Sequence, residues 1–180
     1  MNTGQMMLSV GAIVLLGATI LTLNRSSLQN GTLLQQTQIG LYAVSFAVST
    51  IEEASGKAFD QKTFNAAVAL TSSLSSTMGP EAGETTTPAS TIKFNDFDDY
   101  NLYKKTDYVP LVDSFHTNCQ VYYVTDLLHP ELKSLSNTWY KKMDIQVYNS
   151  GLADSVMKNY VGINIDTVKM SYIFSYFFFR

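Results

Sequence analysis

Hydrophobic and polar positions divide the chain into an apolar head and a β-patterned tail. From Met6 to Leu23 the sequence reads MMLSVGAIVLLGATILTL, in which only Ser9, Gly11, Gly17, Thr19 and Thr22 are not strongly apolar. A helix of that length rises roughly 27 Å, about the hydrocarbon thickness of a bilayer. Wound as a helix, Met6, Leu8, Val10, Ile13, Val14, Leu15, Leu16, Ile20, Leu21 and Leu23 fall on every face. A helix apolar all round is covered by lipid or by other protein. Residues 26–51 carry no charge but mix Gln and Ser with apolar positions. Leu34, Leu41, Val44, Val48 and Ile51 keep near a helical period. The pattern predicts one long helix from Gln5 to Glu53, loosened at Gln29-Asn30-Gly31, with a semi-polar outer half. Ser55-Gly56-Lys57 reads as its stop, so the helical region occupies 5–55.

Residues 56–92 read as linker and loop. Phe64, Ala67, Val68 and Leu70 suggest a short helix or an apolar tether laid on a sheet. Met78 to Thr91 is rich in Gly, Pro, Glu and Thr and reads as surface loop. Over 93–180 the period becomes two. Val109 to Phe115, Gln120 to Asp126, Thr138 to Tyr148 and Ile165 to Phe179 are the expected strands. In the third, Met143, Ile145 and Val147 alternate with Asp144, Gln146 and Tyr148, as a half-buried antiparallel strand requires. The last is so aromatic that both its faces are expected to be covered, or one to meet a partner. Four strands with short links read as a meander. The fold class is therefore α+β: a long N-terminal helix packed on a C-terminal antiparallel sheet of about four strands.

Charge and chemistry narrow the function. Twelve basic and fifteen acidic residues leave a net charge of −3, with no basic stripe for nucleic acid. Only one charge, Arg25, falls before Glu52. Cys119 is the single cysteine, so no disulfide forms within one chain. The head lacks the basic n-region and small-x-small site of a secretory signal. His116, Cys119 and His129 give only an isolated half-site for zinc, and a buried Cys with polar loop histidines explains them better. No nucleophile elbow, phosphate loop, metalloprotease or dinucleotide motif occurs, so the chain is expected not to be an enzyme. Asn24-Arg25-Ser26 and Asn30-Gly31-Thr32 match the N-glycosylation pattern, which arises often by chance.

The residues before the apolar run, 1–4, are a short polar leader ending in Gly4, and Gln5 opens the helix. Leader, glycine and apolar helix together resemble type IV prepilins and pseudopilins. Phe94 to Tyr103, FNDFDDYNLY, is similar to the acidic-aromatic stretch of some minor pilins, including those of mannose-sensitive haemagglutinin pili. The resemblance implies cutting between Gly4 and Gln5 by a prepilin-type peptidase, with methylation as an associated modification. It implies storage as a single-pass inner-membrane protein, then assembly with copies of itself or other pilin-like subunits into a bacterial periplasmic or extracellular filament. Ser9 stands where most pilins carry a glutamate that registers an incoming subunit. The alternative is a single-span anchored protein whose extracytoplasmic β domain binds a partner.

Two expectations attach to the loop Phe94, Asp96, Phe97, Asp98, Asp99, Tyr100 and Asn101. Asp96, Asp98, Asp99 and Asn101 offer closely spaced oxygens for calcium, although the glycine and closing glutamate of an EF-hand are missing. The plainer expectation is a solvated acidic turn that bonds its own backbone, with no cofactor. Phe94, Phe97, Tyr100 and Tyr103 recur every third residue. They are expected to pin the loop to the domain as a clasp, leaving the carboxylates outward. Phe97→Ala should then cost more stability than Asp98→Asn.

Overall fold

A computed structural model describes residues 3–84, 91–149 and 167–177. Helix α1 (Thr3–Ser55) is followed by strands β1 (Lys104–Val109), β2 (Asp113–Tyr123), β3 (Tyr140–Asn149) and β4 (Thr167–Ser175). The chain divides into two compact units, residues 1–38 and 39–180.

The first unit is helical throughout its described residues, and every side chain from Thr3 to Gln38 is exposed. It contains the one helix long and apolar enough to cross a membrane found among the described residues. Five of its hydroxyls, on Ser9, Thr19, Thr22, Thr32 and Thr37, bond to the preceding turn. Ser9 Oγ donates to the Gln5 carbonyl at 2.9 Å, Thr19 Oγ1 to Leu16 at 2.8 Å, and Thr22 to Ala18. A hydroxyl that bonds its own preceding turn needs no water, so it is tolerated in hydrocarbon. The expected loosening at Gln29-Asn30-Gly31 is not found. The helix runs through it, and Thr32 Oγ1 donates to Gln29 O at 2.9 Å.

In the second unit the helix buries a narrow stripe, Ile39, Ala43, Ala47 and Ala54. Alanine keeps that face thin, while the flanking Tyr42 and Phe46 reach the Phe115 ring with centroids 6.2 and 5.2 Å away. Of the helically spaced Leu41, Val44, Val48 and Ile51, the last two are half-buried and Ile51 packs on the core, whereas the first two face outward. Leu41 is 67% exposed and Val44 40%, because the close approach selects small side chains.

The sheet is a meander in the order β1-β2-β3-β4, antiparallel throughout. Sequence placed the first strand at 109–115 and the second at 120–126. Instead β1 lies earlier, and β2 is one eleven-residue strand. Pro110 accounts for the break: it has no N–H to give a ladder, so Pro110-Leu111-Val112 forms the turn and Val109 pairs with Asp113. The inner face follows the period of two. Phe115, Thr117, Cys119, Val121 and Tyr123 of β2 face Asn149, Val147, Ile145, Met143 and Lys141 of β3. On the outer face Asp144 accepts from Tyr122 Oη at 2.7 Å and Ser171 Oγ at 2.8 Å. In β4 only Phe174 is fully buried, so the expected two-sided burial is not met over the described residues, and Phe177 is half exposed. Residues 178–180 and the start of the expected last strand lie outside the described residues.

The segment after the helix forms no α-helix over Phe64–Leu70; Phe64 and Leu70 are exposed, and Val68 N donates to Tyr176 Oη at 2.8 Å. The tether reading fits Val68 alone.

Candidate functional site

Local geometry explains the acidic-aromatic loop. A 3-10 turn at Asp98–Tyr100 repeats every three residues, the spacing of Phe94, Phe97, Tyr100 and Tyr103. All four rings are buried. Phe94 meets Tyr100 and Tyr103 edge-on with centroids 5.1 and 5.8 Å apart, and Phe97 lies 5.0 Å from Phe174 of β4. Phe97 N donates to Ala58 O at 2.8 Å, and Ala58 N to Asn95 O at 3.2 Å, which ties the loop to the chain just beyond the helix. The aromatics thus pin the loop as the clasp reading expects.

The carboxylates do not face outward, and this corrects the solvated-turn expectation. Asp96, Asp98 and Asp99 are all buried. Two of them replace solvent with backbone donors. Asp96 Oδ1 accepts from the N–H groups of Asp98 and Asp99 at 3.0 and 3.2 Å. Asp99 Oδ2 accepts from those of Asn95 and Asp96 at 2.8 and 3.1 Å. Asn101 is a staple: its Oδ1 accepts from Val121 N at 3.0 Å and its Nδ2 donates to Met78 O at 3.3 Å. Its amide is therefore committed, and it does not join the three aspartates as a set of free oxygens.

The counter-charge comes from a residue that sequence reading passed over. Lys141 of β3 is fully buried, and its Nζ donates to Asp98 Oδ1 at 2.6 Å, Phe59 O at 2.8 Å and Asp60 Oδ2 at 2.9 Å. These use all three ammonium protons. The Phe59 and Tyr123 rings flank the charge at 4.8 and 5.3 Å. Asp60, also buried, accepts in addition from Lys62 N, Ser75 N, Ser75 Oγ and Tyr123 Oη. Burial alone would raise its pKa, but Lys141 and these donors together hold it below the ordinary value. The signal for Lys141 was present in the strand: it stands two residues before Met143, in phase with the inward face.

Beside this centre lies a second acidic group. One oxygen each of Glu81, Glu84 and Asp99 lie within 4.8 Å of one another. Glu84 Oε2 accepts from Glu81 N at 2.8 Å, and Glu84 Oε1 from Asn95 Nδ2. Burial first, then neighbouring carboxylates, raises Asp96 and Glu81; burial, against two backbone donors, raises Asp99 to about 6. Among the described residues, Glu81, Glu84 and Asp99 are the carboxylates placed closely enough to reach one cation together.

The remaining sequence candidates stay apart. Cys119 points to the inner face of β2, its thiol pushed up to about 12 by burial, whereas His116 stacks on Tyr148 with centroids 4.9 Å apart. His129 sits in an exposed turn beside Glu131. Gly4 and Gln5 lie in the first turns of the helix, and a side chain at Gly4 would meet nothing within 4 Å. The ten large apolar residues of the span are each 54–77% exposed.

These features define a class: an α+β protein whose N-terminal helix carries an apolar span and whose antiparallel sheet is closed by a buried lysine–carboxylate centre. No protein-family model, curated protein or solved structure matches the chain.

Phe97→Ala is still expected to cost more than Asp98→Asn, for a different reason. The first empties a fully buried aromatic site, at about 3–5 kcal/mol. The second leaves Lys141 an acceptor and Asp60 as counter-charge, and relieves the repulsion at Asp96. Thermal unfolding of the two variants of the full chain in detergent checks the ranking.

Proposed function

We propose that the protein is a pilin-like structural subunit, held in a membrane by its N-terminal helix and assembled through that helix into a pilus-like or pseudopilus-like filament. The observation that carries this reading is the surface of residues 3–38: exposed all round, with Arg25 as its one charged side chain, and with the hydroxyls of Ser9, Thr19, Thr22, Thr32 and Thr37 bonded to their own backbone. Such a surface suits lipid before assembly and the packed core of a filament afterwards, because neither environment supplies water to a stray polar group. The exposed leucines of the helix, Leu33, Leu34 and Leu41, extend the apolar contact surface beyond the span. Other subunits of the same class are the partners this reading names, and a prepilin-type peptidase the processing enzyme.

The mature chain is expected to begin at Gln5. Mass spectrometry of the protein isolated from its native membrane reads this directly, and Gly4→Leu should leave an uncut precursor. A native chain that still begins at Met1 would count against the filament reading. It would favour a single-span anchored protein whose β domain binds a partner, the reading to which Ser9, in place of the usual glutamate, lends support.

A further inference from the structure

We propose that Glu81, Glu84 and Asp99 form a calcium site that staples the 78–84 segment to the acidic-aromatic loop. The distance between their oxygens fits that ion. The three oxygens lie within 4.8 Å of one another, so some point is no further than roughly 2.8 Å from each, close to the 2.3–2.6 Å of calcium–oxygen bonds. All donors are oxygens, the hard ligands that calcium prefers.

The independent sign is the state of the surrounding oxygens. Asp99 is fully buried, yet its Oδ1 has no hydrogen-bond partner among the described residues. Glu81 Oε2, Asn95 Oδ1, Asp96 Oδ2 and Asp98 Oδ2 are likewise buried without one. Buried acceptors are normally satisfied, and two of these orphans, Asp99 Oδ1 and Glu81 Oε2, sit on the three grouped residues themselves. Missing donors cannot come from Lys141, whose three protons already go to Phe59, Asp60 and Asp98. Of the carboxyl groups on Glu81, Glu84, Asp96, Asp98 and Asp99, Lys141 pairs with Asp98 alone, and Asp60 takes the rest of its charge. A divalent cation supplies positive charge and a partner for the two orphans that belong to the ligands, Asp99 Oδ1 and Glu81 Oε2. The ligand set differs from an Asp96–Asp98–Asp99–Asn101 loop site: two of the three ligands come from a segment more than ten residues earlier, and Asn101 is occupied elsewhere.

This site is independent of the filament reading, since it concerns only the second unit. The test is calorimetric titration of the full chain in detergent, stripped with chelator, with calcium chloride and separately with magnesium chloride. One calcium per chain, a melting temperature that rises with calcium, and weaker binding of magnesium are expected. Glu81→Gln should weaken calcium at least tenfold, whereas Asp126→Asn, in an exposed turn, should not change it. Glu84→Gln should act like Glu81→Gln; if it fails to fold, Glu81→Gln decides alone. Absence of calcium heat, with equal melting temperatures in calcium and chelator, would overturn the proposal and leave protons as the charge balance. Wild-type affinity in Glu81→Gln would overturn it as well.

Discussion

Lys141→Met is expected to lower the stability of the β domain by about 3–5 kcal/mol, the usual result of removing one partner from a buried ion pair. Methionine fills nearly the same volume along the strand, so the loss is electrostatic rather than a cavity effect. Asp60 Oδ2 and Asp98 Oδ1 would remain buried with no cation beside them, and the Phe59 carbonyl would lose its donor. Chemical denaturation of wild type and variant at pH 7 measures the difference. A denaturation midpoint equal to wild type would show that the centre contributes nothing net.

The pH dependence of the same centre has a definite sign. Around Asp60 stand Lys141, the Lys62 and Ser75 donors and Tyr123, with Asp98 sharing the lysine. Its pKa in the folded chain is lowered from 3.8. The stabilisation is therefore present above the unfolded value and lost as pH falls through the folded one. Wild type should lose this contribution only below about pH 4. In Lys141→Met the burial of Asp60 acts without its lysine, so that carboxyl takes up its proton at higher pH and the deficit should shrink on mild acidification.

Val14→Arg is the second large effect. Val14 lies mid-span, exposed, with no group of its own chain to receive a charge. A central arginine costs about 2.5–3.5 kcal/mol on insertion scales, roughly a hundredfold in the inserted fraction. In a filament the same charge would meet apolar neighbours. The variant should be depleted from the membrane fraction and absent from assembled filaments. Ser26→Arg, beside Arg25 at the edge of the span, should behave as wild type. Normal insertion and filament yield for Val14→Arg would refute the role given to residues 6–23.

Much of the architecture was legible because it rests on local periodicity. The helix was expected over 5–53 and spans Thr3–Ser55. Four antiparallel strands were expected and found, although Pro110 moved the first one and joined two expected β segments into β2. The face of β3 followed directly from its alternation. The buried stripe of the helix, Ile39, Ala43, Ala47 and Ala54, was not legible, since large residues dominate a periodicity count while the sheet accepted alanines.

The acidic loop marks the limit. Its aromatic spacing implied burial of the rings, and that holds. Its carboxylates read as solvent-facing because an isolated Asp is stable in water and costly inside. Nothing local reveals that Lys141, 43 residues after Asp98, and Asp60, 81 residues before that lysine, meet them.

What the sequence determined by itself, then, is the apolar span, the period of each element and the clasp of aromatic rings, all set by neighbours within a few residues. Only the tertiary structure decided that Lys141 is a buried counter-charge and that Glu81 and Glu84 stand beside Asp99. Charge burial depends on what lies across space, and strand β3 brings its lysine under the loop only once the sheet has formed.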